Sequence, residues 1–182
     1  IFHGNSTRGL IMDLQQLRRQ FPVTDHWTYL NHAAVAPISL PVQRAMERHL
    51  RDVAEHGLAH ITDWHALYVD ARRSVGRLIG ARSDEIAFLK NTTDGLIAVA
   101  LGVQWRPGDS VVVAEREFPA NVYPWLWLAD KGVTIRKVPE RDGRLLVEDF
   151  ADAIDSHTRV LTVSSVEFFS GFRNDLAALG RL

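Results

Sequence analysis

The sequence predicts an α/β fold, a three-layer arrangement with a mostly parallel sheet and helices on both faces, on three observations. Short apolar runs alternate with helical stretches four times between Ile86 and Val163. Those runs are continuous rather than alternating, as strands covered on both faces require. Turn formers such as Pro107-Gly108-Asp109 separate the two kinds of stretch.

Each element has its own warrant. Ile1 to Ile11 carries no clear period, whereas Leu14, Leu17 and Phe21 after Met12 form an amphipathic stretch. Met12 is therefore a candidate natural start, with an upstream remnant or a genuine arm before it. Ser39 and Pro41 open a helix whose apolar positions Val42, Ala45, Met46, Leu50, Val53 and Ala54 keep a 3.6-residue period up to Gly57. A second helix runs from Asp63 through Trp64, Leu67, Tyr68, Ala71, Val75, Leu78 and Ile79 to a stop at Gly80. Ile86-Ala87-Phe88-Leu89 reads as a buried strand, and Leu96, Val99, Ala100 and Val103 mark the next helix. Val111-Val112-Val113, Val133 to Val138 and Val160 to Val163 are further strands. Between them, Pro124 to Lys131 and Asp149 to Asp155 are helical, and Asp142-Gly143 is a turn. Asn174-Asp175-Leu176-Ala177-Ala178-Leu179 reads as a capped helix start cut short by Leu182, which predicts a truncated domain. No linker or repeat divides the chain. It is read as a leading arm and entrance segment, residues 1–38, followed by a partial α/β cofactor-binding domain, residues 39–182.

Composition narrows the function. The 182 residues are 46% hydrophobic and 24% charged, ordinary for a globular chain, with a net charge of −1. That balance gives no electrostatic case for nucleic acid or an anionic membrane. No apolar run approaches membrane-spanning length and no signal pattern opens the chain, so a cytoplasmic location is expected. Cysteine is absent, and Lys90, Lys131 and Lys137 are the three lysines.

Ligands of open parallel sheets sit beyond the carboxyl ends of the strands, so segments there count most. Phe88 to Gly95 leads into a helix start, where unpaired N–H groups and the positive dipole end meet the hydroxyls of Thr92 and Thr93. Such a start cradles a phosphate. The same residues also read as an ordinary capped start, with Asn91 as cap and Asp94 at the third position. No nucleotide P-loop and no G-x-G-x-x-G are present. Glu117 to Trp125 follows the next strand, and the ring of Phe118 there suits stacking on a planar heterocycle. Phe118 and Trp125 equally suit a core or an interface. His56, His60 and His65 surround a helix break and read as a polar helix face, with no H-E-x-x-H to support zinc. No G-x-S-x-G elbow supports a serine hydrolase.

Five segments in order resemble the class V aminotransferase and cysteine desulfurase group. Tyr29-Leu30-Asn31-His32-Ala33-Ala34 is similar to its opening "Y-L-[DN]-x-A-A" stretch. Tyr68, Ala71-Arg72, Val75 and Ile79-Gly80-Ala81 resemble the helix that follows. Phe88 to Ala98 resembles its phosphate-binding "G-T-T-E-A-I-N" segment, with Asn91 for the glycine. Glu117 to Trp125 resembles "E-H-H-A-N-x-x-P-W", and Val163-Ser164-Ser165 with Ser170-Gly171 resembles "S-H-x-x-x-x-x-G".

The resemblance implies a fold type I enzyme with pyridoxal phosphate as cofactor, an amino acid as small-molecule substrate, and a homodimer or larger oligomer. It implies that Thr92 and Thr93 hold the cofactor phosphate and that Phe118 stacks on the pyridine ring, where desulfurases commonly have His. It places Asn31, His32 and Ala33 near the substrate entrance. Ser165 stands for a frequent His, and Phe168 for a frequent desulfurase Asn, which weakens a strict desulfurase reading. Phe118 suits an aminotransferase or epimerase-like branch better, with a cysteine desulfurase or epimerase-like lyase as the alternative for the complete protein. The Schiff-base lysine and the aspartate that pairs with the pyridine nitrogen are expected beyond Leu182, because none of the three lysines matches that context. Lys90 is expected to be a solvated charge at a strand end. On this reading the chain is the front portion of a transferase or lyase, not competent alone. The rival reading is a noncatalytic dimerising or binding module of the same fold.

Overall fold

The computed structural model describes residues 13–182, so the aperiodic start and Met12 lie outside the described residues. The chain divides into two compact units, one ending at Ile86 and the other beginning at Ala87.

The first unit is helical. Helix α1, Leu14–Arg18, is capped by Asp13, whose side chain accepts from the Gln15 N–H at 2.9 Å. A 3₁₀ turn at Pro22–Asp25 leads into an irregular stretch, and then to α2, Leu40–His56, with Ser39 at its N-cap and Pro41 in its first turn. Pro there forfeits only an N–H with no helical partner. Helix α3, Ile61–Ile79, ends at Gly80, whose φ of 74° is the left-handed cap that glycine adopts without strain. Both helices match their expected spans within two residues. The period in α2 gathers Val42, Met46, Leu50 and Val53 into one stripe, and the stripe is exposed. Asp52 ties the two helices together. Its carboxylate accepts from His56 and His60, and from the Trp64 indole N–H at 2.8 Å. The His60 and Trp64 hydrogen bonds hold its carboxyl below the usual range.

The second unit is the expected α/β layer. Helix α4 spans Thr92–Gly102, strand β1 Ser110–Ala114, and helix α5 Tyr123–Leu126, continued by a 3₁₀ turn to Lys131. Strand β2, Thr134–Val138, helix α6, Val147–Ala153, strand β3, Thr158–Thr162, and helix α7, Leu176–Leu179, complete it. The sheet order is β2-β1-β3, parallel throughout. All five residues of central β1 are buried, and the strand period of two sends them to two cores. Val112 and Ala114 pack with Val138, Leu145, Phe150 and Leu179 on one face. Val111 packs with Ala100, Trp125, Leu128 and Val133 on the other. The result is helix, sheet, helix. Gly132 ends the α5 segment at φ 76°, and its carbonyl accepts from the Gly108 N–H at 3.0 Å. Asp142 and Gly143 both take positive φ in the tight turn between Arg141 and Arg144.

One expected element is corrected. Residues 86–89 form no strand, and Phe88 and Leu89 are about half exposed while Ile86 alone is buried. An apolar run becomes a strand only beside a ladder partner, and the three-stranded sheet here does not extend to it. Among the described residues, no helix is long and apolar enough to cross a membrane.

Candidate functional site

Parallel alignment brings the carboxyl ends of β1 and β3 side by side, and a polar network joins them. Glu117, three residues beyond β1, is buried. Its carboxylate accepts from the backbone N–H of Ser164, from Ser164 Oγ at 2.9 Å and from the Phe118 N–H at 2.9 Å. Asn174, also buried, donates through Nδ2 to the Ser164 carbonyl at 2.8 Å and to Glu167 Oε1 at 2.6 Å. Glu167 is only 3% exposed. Loss of solvation, and then the negative charge of Glu117, push its carboxyl up to about 7, although the Asn174 hydrogen bond acts the other way. Asn121 accepts from Thr162 Oγ1 and from Trp125 Nε1 at 3.2 Å, which pins the segment after Phe118 onto β3.

The network fixes the backbone on which Phe118 stands. The Phe118 ring is 51% exposed and meets Phe168 edge-on, with centroids 5.2 Å apart. Phe168 in turn contacts Phe169, and the Arg116 guanidinium lies 3.4 Å over the Phe169 ring.

Helix α4 packs against the 3₁₀ turn at Pro119–Asn121 and against α5, so it lies beside the chain that follows Phe118. Asn91 is its N-cap, accepting the Asp94 N–H at 2.9 Å. Thr92 and Thr93 therefore occupy the first two helical positions, where the ladder offers their N–H groups no acceptor one turn back. Thr92 is exposed; Thr93 is half-buried and faces an apolar cleft with Ile97, Leu101, Tyr123 and Trp127. The capped start and the open pair of threonines coexist, since the cap takes up only the third N–H. Lys90 is a solvated charge as expected, although it ends no strand, and its ammonium lies 3.6 Å from Asp94 on the surface. Lys131 sits over the Trp127 ring, and Lys137 is on β2.

Asn31, His32 and Ala33 are exposed in the first unit. Nearby, Tyr29 donates to the Val35 carbonyl at 2.6 Å, and its ring meets that of His32 edge-on. His56 and His60 do come together, with Asp52 rather than His65 as the third member.

The class V aminotransferase profile matches residues 28–182. The chain belongs to the class V aminotransferase family. Among class V relatives, a probable cysteine desulfurase of Methanothermobacter thermautotrophicus is 33% identical over 95% of this chain and 44% of its own length. An uncharacterised aminotransferase, YcbU of Bacillus subtilis, is 28% identical over 92% of this chain and 45% of its own. The Escherichia coli cysteine desulfurase CsdA superposes with a TM-score of 0.80 at 27% identity, over 94% of this chain and 46% of that one. A C-DES mutant with glycine covalently linked to its PLP cofactor superposes at 0.83, with 21% identity, over 90% of this chain and 44% of its own, a likeness of fold. The chain thus spans rather under half the length of each of these proteins.

Sequence reasoning missed the network of Glu117, Glu167, Asn174 and Ser164. The signals were position, since Glu117 and Ser164 each follow a strand within three residues, and their place in two of the family-like segments.

Proposed function

We propose that this chain forms the phosphate and ring-stacking side of a pyridoxal-phosphate site in an enzyme acting on an amino acid, most simply an aminotransferase. The observation that carries the reading is the α4 start, where Thr92 is exposed and Thr93 half-buried beside the segment that follows Phe118. Their N–H groups and hydroxyls are neutral donors at a positive helix end, a donor set suited to a phosphate dianion. Phe118 is half exposed, as a ring that stacks on a heterocycle would need, while the Glu117 hydrogen bond steadies its backbone. When bound, the cofactor supplies an electron sink for charge developing on the amino acid.

The residues of the chain bind and orient; none of its lysines is posed to attack. Lys90 stands beside Asp94 at the surface, Lys131 over Trp127 and Lys137 on β2, and none matches the context of the family's Schiff-base lysine, so the chain by itself is proposed to be noncatalytic. Phe118 carries no proton, and this supports the aminotransferase or epimerase-like branch over the desulfurase branch, in which a titratable residue would stack. Residues 1–38, with Asn31, His32 and Ala33, are assigned to the substrate entrance, and residues 39–182 to the cofactor-binding layer.

The test is uptake of pyridoxal phosphate, followed by borohydride reduction and peptide mapping. The proposal expects phosphate-dependent binding without a stoichiometric adduct at any one lysine. A specific reduced adduct on Lys90, Lys131 or Lys137 would overturn the noncatalytic assignment. Equal affinity for pyridoxal lacking the phosphate would overturn the role of Thr92 and Thr93.

A further inference from the structure

We propose that Asp52, His56 and His60 form a binding site for a divalent transition-metal ion of the zinc class, where α2 turns into α3. The site is independent of the cofactor reading.

The geometry begins with chain direction. Asp52 and His56 stand one helical turn apart on α2, so both project from one face. Gly57 ends the helix at φ 57°, and the chain doubles back so that His60, eight residues beyond Asp52, reaches the same carboxylate. Oδ1 of Asp52 lies 3.0 Å from His56 Nδ1 and 2.6 Å from His60 Nδ1. The three ligand atoms lie within 4.8 Å of one another, and the two rings lie 4.9 Å apart. A tetrahedral ion with bonds of about 2.0–2.1 Å places its ligands roughly 3.3 Å apart, so the cluster is within a side-chain adjustment of that polyhedron.

Two further features separate this cluster from an ordinary hydrogen-bonded helix end. Trp64 Nε1 donates to the other carboxylate oxygen, Oδ2, at 2.8 Å, and His49 packs edge-on against the same indole. A donor on the outer oxygen fixes the carboxylate and aims Oδ1 at the histidines, the outer-shell support that metal ligands ordinarily have. The histidine side chains are also 47% and 45% exposed, which leaves room for water ligands on the solvent side. Two imidazoles and one carboxylate suit zinc, cobalt, nickel or copper; magnesium and calcium require mostly oxygen. Binding needs no net change of charge on neutral rings. Each ring moves its proton from Nδ1 to Nε2, and the ion takes the place of the two hydrogens now shared with Oδ1.

The test is calorimetric titration of the untagged full chain with Zn²⁺, alongside Co²⁺ followed by its visible absorption. The proposal expects one equivalent bound, an affinity at least ten-fold lower in His56→Gln/His60→Gln and in Asp52→Asn, and no change in His65→Gln. Trp64→Phe, which keeps every ligand, should weaken binding several-fold. Zn²⁺ should raise the thermal midpoint of the parent and leave that of the double histidine variant unmoved. Should Asp52→Asn unfold, the double variant carries the comparison. Equal Zn²⁺ affinity in parent and double variant, or no uptake by the parent, overturns the site. Displacement of Zn²⁺ by equimolar Mg²⁺ would overturn the assigned metal class.

Discussion

Glu167→Gln should stabilise the chain at alkaline pH and flatten its stability profile. In the fold the Glu167 carboxyl titrates at about 7, against an ordinary value of 4.5, because it is desolvated and faces Glu117. The folded state then holds a proton that the unfolded chain has already released. The stability tied to that proton is fully present below about 4.5 and is lost as pH rises through about 7. At about 1.4 kcal/mol per pH unit, the shift from 4.5 to about 7 sets an upper bound of roughly 3–4 kcal/mol on the loss. Glutamine keeps the size of the side chain and an oxygen that can still accept from Asn174 Nδ2, while removing the charge. Urea unfolding of both proteins between pH 5 and 8.5 reads the effect. The account expects nearly equal midpoints at pH 5 and a variant more stable by about 1–3 kcal/mol at pH 8.5. Parallel curves across the range would refute the reasoning, since they would mean that Glu167 titrates alike in both states.

Three further outcomes follow from packing. Phe150 is fully buried against Val112, Val138 and Leu145, so Phe150→Ala should cost about 3–5 kcal/mol in unfolding free energy, measured in urea. Gly132→Ala should cost at least about 1–2 kcal/mol by the same assay, because φ is 76° and the new Cβ would stand 3.3 Å from Pro107 Cα. The exposed stripe of Val42, Met46, Leu50 and Val53 should drive self-association, visible in light scattering as a mass above 20.5 kDa that falls when Met46 and Leu50 are made polar.

Much of the fold was legible because its signals are local. Gly57, Gly80 and Gly132 stop helices by backbone conformation alone, and the triple valine between turn formers marked the central strand. Residues 86–89 failed for the opposite reason: four apolar residues read alike whether or not another strand lies alongside, and pairing is decided at a distance. The segment from Asn174 to Leu179 read as a capped helix start, and it is one. The cap is Asp175, accepting the Ala178 N–H at 2.9 Å, while Asn174 is drawn inward to Ser164 and Glu167. A polar residue buried by long-range pairing leaves no periodic trace. The histidine group shows the same limit: His56, His60 and His65 read as a polar helix face, and only the turn at Gly57 brings His56 and His60 together on Asp52. Thr92 and Thr93 at the α4 start, and Phe118 beyond β1, stand at the expected positions in their elements, since capping and strand ends are local features.

The measurement that bears most directly on the central claim follows backbone amides by nuclear magnetic resonance during titration with pyridoxal phosphate and, separately, with pyridoxal. The account expects the amides of Thr92 and Thr93 to shift most, only with the phosphorylated compound, together with the ring resonances of Phe118. Unmoved amides at those two threonines, or identical shifts with both compounds, would contradict it.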